Sequence, residues 1–195
     1  MWVALRDASN EELLTMQQQF GLHDLAVDDA RHGHQRTKAE EYGDNLFVVM
    51  HCIGRGPIDQ LSVGEVNVFV GRNFVVSVRN RSGQSLLGMR ERAEQEPHLL
   101  KNGAGFVLYA LMDAVVDRYF PIIDDLESEL EGIETQIFVR GSARANIEQL
   151  YGLKQRIMTV KHAVTPLMES TGKLWSGRVP SARDHASTFG MSTIT

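Results

Sequence analysis

Cysteine is almost absent from this chain of 195 residues, which contains only Cys52. An intramolecular disulfide is therefore excluded, and a reducing compartment is the natural setting. Cys52 lies inside an apolar run, where simple burial is its expected role. With 43% hydrophobic and 23% charged residues, the chain has the composition of an ordinary globular domain that folds without cross-links.

Long apolar runs are also missing. The most apolar stretch, residues 106–116, is shorter than the ~20 residues that a membrane-spanning helix requires, and it contains Asp113. The N-terminus lacks the basic region, apolar core and cleavage site of a secretion signal. We therefore expect this chain to be soluble and not secreted.

Neither a basic surface nor a catalytic motif is evident. The formal net charge is −5 and the basic residues are scattered, which argues against nucleic acid as the main partner and favours cations. The sequence has no nucleophile elbow, phosphate-binding glycine loop or Cys–His pair, and Gly54-Arg55-Gly56 is followed by Pro57 rather than by a helix. We expect no enzymatic activity.

The first hundred residues predict an α+β domain. Ser9 followed by Glu12 is the signature of a capped helix start, and the short turn at residues 71–73 makes its flanking strands an antiparallel hairpin. The expected fold is a mixed sheet flanked by helices. Strands are predicted at 1–5, 46–53, 63–70 and 74–78, helices at 9–20, 23–30 and 85–96, and an irregular connection at 31–43.

Apolar residues then recur every three or four positions over residues 105–137, which predicts one long helix. Gly141 and Ser142 interrupt the pattern before it resumes over residues 147–174, so a long antiparallel helical hairpin, or stalk-like arm, is expected. Pro121 and Pro166 should kink its helices. We assign the α/β domain to 1–100, the hairpin to 104–176 and an irregular or disordered tail to 177–195.

Two groups of carboxylates could bind a hard cation. Asp28 and Asp29 are adjacent at the end of the second predicted helix, and Asp113 and Asp117 lie one turn apart on the long helix, in apolar surroundings. Magnesium takes oxygen ligands and keeps several waters while touching only one or two carboxylates. The alternative for both groups is a solvated acidic helix face.

Three histidines, His32, His34 and His51, could indicate zinc. No second cysteine and no recognisable Cys/His ligand set accompanies them. Surface or hydrogen-bonded histidines are the expected interpretation.

Two segments resemble the CorA-type magnesium channels. Val27-Asp28-Asp29 followed by His32-Gly33-His34-Gln35-Arg36-Thr37-Lys38 is similar to the family's acidic pair and its His-Gln-Arg-Pro-Lys sequence, with Thr37 in place of the proline. Residues 106–121 closely resemble the segment that opens the family's long stalk helix. The similarity covers residues 1 to about 180, including features of the returning helix at 153–156 and 164–167 in the right order.

This resemblance implies a cytosolic domain with a helical arm, on the cytoplasmic face of the cell's inner membrane. Five copies would surround the axis of a pentameric Mg²⁺ channel, with Co²⁺ and Ni²⁺ as further cargo. It also implies that Asp28 and Asp29 face acidic residues of the neighbouring subunit, that Asp113 belongs to the same cluster, and that Asp117 lies one turn on. Mg²⁺ bridging the two surfaces would hold the interface closed, and falling Mg²⁺ would release it.

Some family features are missing. The two membrane helices, the Tyr-Gly-Met-Asn signature between them and a further acidic stalk segment do not occur here, so metal sites are expected to be incomplete and membrane contact to come from segments outside this chain. Family members usually have extra strands ahead of Trp2, so an exposed sheet edge is expected. Two alternatives stay open: a related zinc transporter, or a metal-independent structural domain for assembly.

Overall fold

In the computed structural model, residues 1–57, 60–82, 97–136 and 143–175 are described, together with positions 88, 91 and 95. Within these residues a five-stranded sheet has helices on both faces. The strands are β1 (Trp2–Arg6), β2 (Lys38–Tyr42), β3 (Asn45–Arg55), β4 (Leu61–Val70) and β5 (Val75–Asn80). The helices are α1 (Asn10–Phe20), α2 (Asp24–His32), α3 (Pro97–Leu100), α4 (Ala104–Val116), α5 (Phe120–Gln136) and α6 (Ala143–Trp175).

The sheet is mixed, with strand order β1-β5-β4-β3-β2. β1 runs parallel to β5, with Trp2 opposite Val75, and every other neighbouring pair is antiparallel. The ladder between β3 and β4 is the longest and extends from Leu46 to Arg55 on β3. The predicted α+β class, with its antiparallel hairpins in a mixed sheet, is confirmed.

Alternation along the strands divides the core into two layers, because successive side chains point to opposite faces of a sheet. Phe47, Val49 and Phe69 pack with the apolar residues of α1 and α2. Val48 and Met50 face the other way and pack with α4, α5 and α6. Burying each such side chain contributes about 1.5–3 kcal/mol. Helices α1 and α2 therefore lie on one face of the sheet and α4 to α6 on the other.

The capping signal in the sequence is confirmed at the start of α1. The Ser9 hydroxyl accepts a hydrogen bond of 3.2 Å from the Glu12 amide, and the Glu12 carboxylate accepts one of 2.8 Å from the Ser9 amide. The helix ends at Gly21, whose left-handed backbone (φ 61°) suits a residue without a side chain.

The irregular connection predicted at residues 31–43 is wrong in its second half, since Lys38–Tyr42 form β2 and pair with β3. The segment Lys-Ala-Glu-Glu-Tyr has few residues that favour strands. All five are half-buried, and β2 lies at the edge of the sheet, where charged side chains can still reach water.

The long helix predicted at residues 105–137 is two helices in the structure. α4 ends at Val116 and α5 begins at Phe120, and the turn between them is closed by a hydrogen bond of 2.9 Å from the Tyr119 amide to the Val116 carbonyl. Pro121 has no N–H to donate to the Asp117 carbonyl, so a regular helix cannot continue through this position. Pro121 therefore lies in the first turn of α5 instead of kinking a longer helix.

α5 and α6 form the predicted antiparallel hairpin. The Asn146 amide donates to the Gln136 carbonyl near the connection, at 3.2 Å, and the Arg156 guanidinium pairs with the Glu129 carboxylate, at 2.5 Å, further along. α6 continues through Pro166 as one helix of 33 residues, about 50 Å long. It contacts β2 and β3 as well as α5.

Three predicted features lie wholly or almost wholly outside the described residues: the helix at 85–96, the break at Gly141 and Ser142, and the tail at 177–195. Over the described residues, no helix combines the length and apolarity needed to cross a membrane.

Candidate functional site

The acidic pair lies in the second half of α2. This helix buries Ala26, Val27 and Ala30 against the sheet, which directs the two aspartates outward in different directions, because neighbouring helical residues are about 100° apart. The side chain of Asp28 is 61% exposed, whereas that of Asp29 is 23% exposed. Asp28 is open to solvent, and Asp29 turns toward β2.

Asp29 is engaged by a lysine that the sequence analysis did not single out. Lys38 Nζ donates hydrogen bonds of 2.7 Å to Asp29 Oδ2 and to Glu40 Oε2, and the Tyr42 hydroxyl donates one of 2.9 Å to the same Glu40 oxygen. Burial opposes the charge on Lys38, but the bonds to the two carboxylates outweigh it and raise the pKa of the ammonium group. The sequence did not predict this contact, because residues 31–43, which include Lys38, were expected to form an irregular connection.

Asp28 has a weaker and more exposed partner. Its Oδ1 lies 3.3 Å from Nδ1 of His32, one turn later in α2, and the His32 side chain is 67% exposed. The same ring nitrogen lies 3.0 Å from the Asp28 carbonyl oxygen. Exposed pairs of this kind contribute about 0–1 kcal/mol, so the Asp28 carboxylate stays accessible to an ion from solution.

Asp113 and Asp117 are exposed at the end of α4 and in the turn that follows it. The Asp117 amide donates to the Asp113 carbonyl at 2.9 Å. Because α4 packs on the opposite face of the sheet from α2, the structure does not bring these residues to Asp28 and Asp29 within one chain. The two acidic groups are separated by the sheet itself.

His34 and His51, but not His32, border a cavity of about 260 Å³ beyond the C-terminal end of α2. Glu65, 6% exposed, accepts a hydrogen bond of 3.2 Å from the Gln35 amide. His51 Nε2 lies 2.8 Å from the Gln35 carbonyl oxygen, and the His34 ring contacts the Arg81 guanidinium. Throughout the described ranges, no three His, Cys, Asp or Glu side chains are arranged to hold a metal ion. The cavity is lined by Gly33, His34, His51, Val63, Gly64, Glu65, Asn80 and Arg81.

The donor chemistry at the end of α2 fits a hydrated magnesium ion. Asp28 and Asp29 supply only hard carboxylate oxygens, and Asp29 already holds a cationic group, the Lys38 ammonium, at 2.7 Å. Mg²⁺ is commonly held through one or two carboxylates while keeping most of its waters. The pair could therefore attach such an ion through one or both carboxylates.

Comparison with known proteins identifies relatives along nearly the whole sequence. The profile of a family described as CorA-like Mg²⁺ transporter protein matches residues 1–187. YfjQ of Bacillus subtilis is 27% identical over 168 residues, which cover 86% of this chain and 51% of that protein. The cobalt/magnesium transport protein CorA of Thermotoga maritima is 25% identical over 158 residues, which cover 80% of this chain and 45% of that protein.

The fold has a solved counterpart. The soluble domain of CorA from Methanocaldococcus jannaschii superposes with a TM-score of 0.73 at 18% identity, over 97% of this chain and 76% of that one. The present chain spans about half the length of the two curated relatives.

Proposed function

Because this chain belongs to the CorA-like Mg²⁺ transporter family, we propose that it is the cytoplasmic regulatory domain of a divalent-cation channel. In this proposal the domain senses cytosolic Mg²⁺ at subunit interfaces and thereby gates transport. The observation that carries the proposal is the placement of two acidic groups, Asp28 with Asp29 and Asp113 with Asp117, on opposite faces of one sheet.

Two different surfaces on opposite sides of a protomer suit a ring of identical subunits. In a closed ring each copy contacts its neighbours through two distinct surfaces, so the α2 face of one copy meets the α4 face of the next. Asp28 and Asp29 would then oppose Asp113 and Asp117 of the adjacent copy. This arrangement agrees with the pentamer implied by the sequence resemblance.

Opposed carboxylates give such an interface its dependence on metal. Without a cation the two surfaces repel each other, and a divalent ion between them removes the repulsion. A ligand that binds only the closed ring stabilises it, and the stabilisation grows with the logarithm of the ratio of ligand concentration to dissociation constant once that ratio exceeds one. Weak sites filled near that constant respond most steeply, so falling Mg²⁺ would loosen the ring and favour the conducting state.

The cargo and location follow from the same proposal. Mg²⁺ is the main transported ion, with Co²⁺ and Ni²⁺ as further cargo, and the domain lies at the cytoplasmic face of the cell membrane. Conduction and membrane contact belong to segments outside this chain. The domain binds ions and relays their presence, and it catalyses no reaction.

The experiment compares thermal unfolding and solution mass with and without MgCl₂ at about 10 mM, a concentration at which weak carboxylate sites fill, at matched ionic strength. The variant is Asp28→Asn with Asp29→Asn, which keeps the size of both side chains. A matched control, Glu127→Gln with Glu131→Gln, removes two exposed charges from α5. We expect Mg²⁺ to raise the unfolding midpoint and the mass of the parent and of the control, but not of the Asp28/Asp29 variant.

Other results would contradict the proposal in distinguishable ways. A response to ZnCl₂ alone would favour a zinc-transporting relative. Indifference to every divalent ion would favour a domain that serves assembly only. A response of equal size in the Asp28/Asp29 variant would exclude these two residues as the sensor.

A further inference from the structure

One proposed metal ligand already carries a cation that belongs to the protein. Asp29 is paired with Lys38 across the gap between α2 and β2. We propose that Lys38 is a tethered counter-ion which occupies Asp29 at low Mg²⁺, is displaced by the divalent ion, and so sets the Mg²⁺ concentration at which the sensor responds. This inference rests on the proposed sensor function, because it concerns the regulation of the same site.

The geometry separates the roles of the two aspartates. Asp28 is 61% exposed and its partner His32 is 67% exposed, so a hydrated ion can reach it directly. Asp29 is 23% exposed, and its Oδ2 accepts a hydrogen bond of 2.7 Å from an ammonium group that is 24% exposed. A divalent ion that recruits Asp29 must therefore compete with Lys38, whereas Asp28 is available from the start.

The fold provides Lys38 with a second carboxylate to retain it after displacement. Glu40 lies two residues away on β2 and accepts a hydrogen bond of 2.7 Å from Nζ. The Tyr42 hydroxyl fixes Glu40 by donating to the same oxygen at 2.9 Å, and the Phe47 ring centroid lies 5.8 Å from Nζ. When Lys38 leaves Asp29, its ammonium group is still paired with Glu40. The exchange between lysine and metal can therefore be reversible.

Position in the sheet keeps the lysine in reach of Asp29. Lys38 is paired with Val49 in the ladder between β2 and β3, and Val49 is fully buried beneath the helices of that face. The backbone that carries Lys38 is therefore anchored to the core. Only the side chain needs to move when a metal ion takes its place, and the release costs no change in the fold.

The test is a titration of the full chain with MgCl₂. Binding is measured by calorimetry and by the NMR signals of the backbone amides of residues 28–33. In Lys38→Met the competing charge is gone while the apolar stem stays, and we expect Mg²⁺ to bind about fivefold more tightly, the order expected when a partly exposed ion pair is removed. In Lys38→Arg the positive charge remains, so this gain should be absent or much smaller.

A double variant distinguishes direct competition from a general change of electrostatic field. Lys38→Met is combined with Asp29→Asn and compared with Asp29→Asn alone. If the lysine acts through Asp29, the two affinities should agree within twofold. Arg144→Met, which removes an exposed charge from α6, controls for the change in net charge and should leave the affinity unchanged.

A second arm covers the case in which Lys38→Met does not fold. Glu40→Gln keeps the lysine but removes its alternative partner, so Lys38 should hold Asp29 more firmly and Mg²⁺ binding should weaken several-fold. Again the effect should vanish when Asp29→Asn is present.

The outcomes separate this inference from the proposed function. Mg²⁺ binding by the parent with no gain in Lys38→Met overturns the role of Lys38 and leaves the sensor intact. Mg²⁺ binding by Lys38→Met but not by the parent supports the role of Lys38 and contradicts sensing by the parent chain. A gain that persists with Asp29→Asn overturns direct competition, and indifference of both proteins to Mg²⁺ overturns both statements.

Discussion

The Tyr119 hydroxyl donates a hydrogen bond of 2.6 Å to the carbonyl oxygen of His51. Tyr119 lies in the turn between α4 and α5, is 4% exposed, and its pKa is raised by burial, so the hydroxyl keeps its proton. The His51 ring lies 2.8 Å from the Gln35 carbonyl oxygen on the other side of the sheet. Together, these two contacts of His51 link the turn that contains Asp117 to the loop that follows the acidic pair.

Tyr119→Phe should therefore lower the free energy of unfolding by about 1–2 kcal/mol, because a buried hydrogen bond is lost with almost no change in volume. Urea unfolding measures the effect. Tyr151→Phe is the control, since Tyr151 is 64% exposed and its substitution should change stability by less than about 0.5 kcal/mol. Equal effects of the two substitutions would show that the hydrogen bond contributes nothing specific.

Cys52 should make the fold sensitive to alkali. Burial raises the pKa of its thiol from 9.0 to about 11, so between these values the unfolded chain loses the thiol proton while the folded chain retains it. Stability is then fully present below pH 9 and falls as the pH rises toward 11, by about 3 kcal/mol for a shift of this size. Cys52→Ala should remove this part of the decline when urea unfolding is repeated at pH 8, 9, 10 and 11.

The same burial predicts slow chemistry at Cys52. Its thiol should react with iodoacetamide only after unfolding, because the thiolate is the reactive form and the side chain is 4% exposed. Rapid alkylation of the folded protein at pH 7 would contradict both the burial and the alkaline prediction.

Gly64 allows β4 to approach Ser82, two residues beyond the end of β5, closely. A Cβ at this position would lie 2.6 Å from Cβ and 2.8 Å from Cα of Ser82, so the backbone itself would have to shift. Gly64→Ala should cost about 1–3 kcal/mol, the usual range for overpacking. In a double variant Ser82→Gly should recover only part of the loss, since the added methyl group would still meet the backbone of residue 82.

Gly152 provides the matched control for this substitution. It lies within α6 with nothing within 4 Å of an added Cβ, and alanine favours a helix by about 0.5–1 kcal/mol over glycine. Gly152→Ala should therefore stabilise the protein in the same unfolding assay. If both alanine variants destabilise to the same extent, the clash with Ser82 is not the cause.

The capped start of α1 gives a further prediction. Ser9→Ala removes the acceptor of the Glu12 amide, seen at 3.2 Å, and should destabilise the protein by about 1 kcal/mol. Ser9→Asp keeps an acceptor at this position and should retain most of the stability. A loss of equal size in both variants would contradict the capping role.

Much of the fold was predictable because its signals are local. Ser9 and Glu12 determine a helix start within four residues. The apolar runs of β3 and β4 indicate strands, which are buried on both faces of the sheet. β2 escaped prediction because Lys38, Glu40 and Glu41 are poor strand formers, and their pairing depends on the neighbouring strand. The break before Phe120 escaped because apolar spacing continues across it, whereas the cause is the missing N–H of Pro121.

The candidate site likewise has features that local sequence indicates and features that depend on the tertiary fold. Residue type and spacing marked Asp28, Asp29, Asp113 and Asp117 as candidates, and the family resemblance implied their role as metal ligands, which stays a prediction. Their separation by the sheet could not be predicted, because it depends on which face each helix covers. The contact of Asp29 with Lys38 joins a helix to an edge strand that the sequence did not indicate.

The parallel pairing of β1 with β5 bears on how the protein is made. The other four strands pair with strands that are next to them in the sequence. β1 instead pairs with the distant β5, where Trp2 lies opposite Val75. During synthesis the first strand therefore leaves the ribosome long before its partner exists, and such distant contacts form late. The Trp2 indole, which donates to the Ser77 hydroxyl at 3.1 Å, should report by its fluorescence the moment at which β1 pairs with β5.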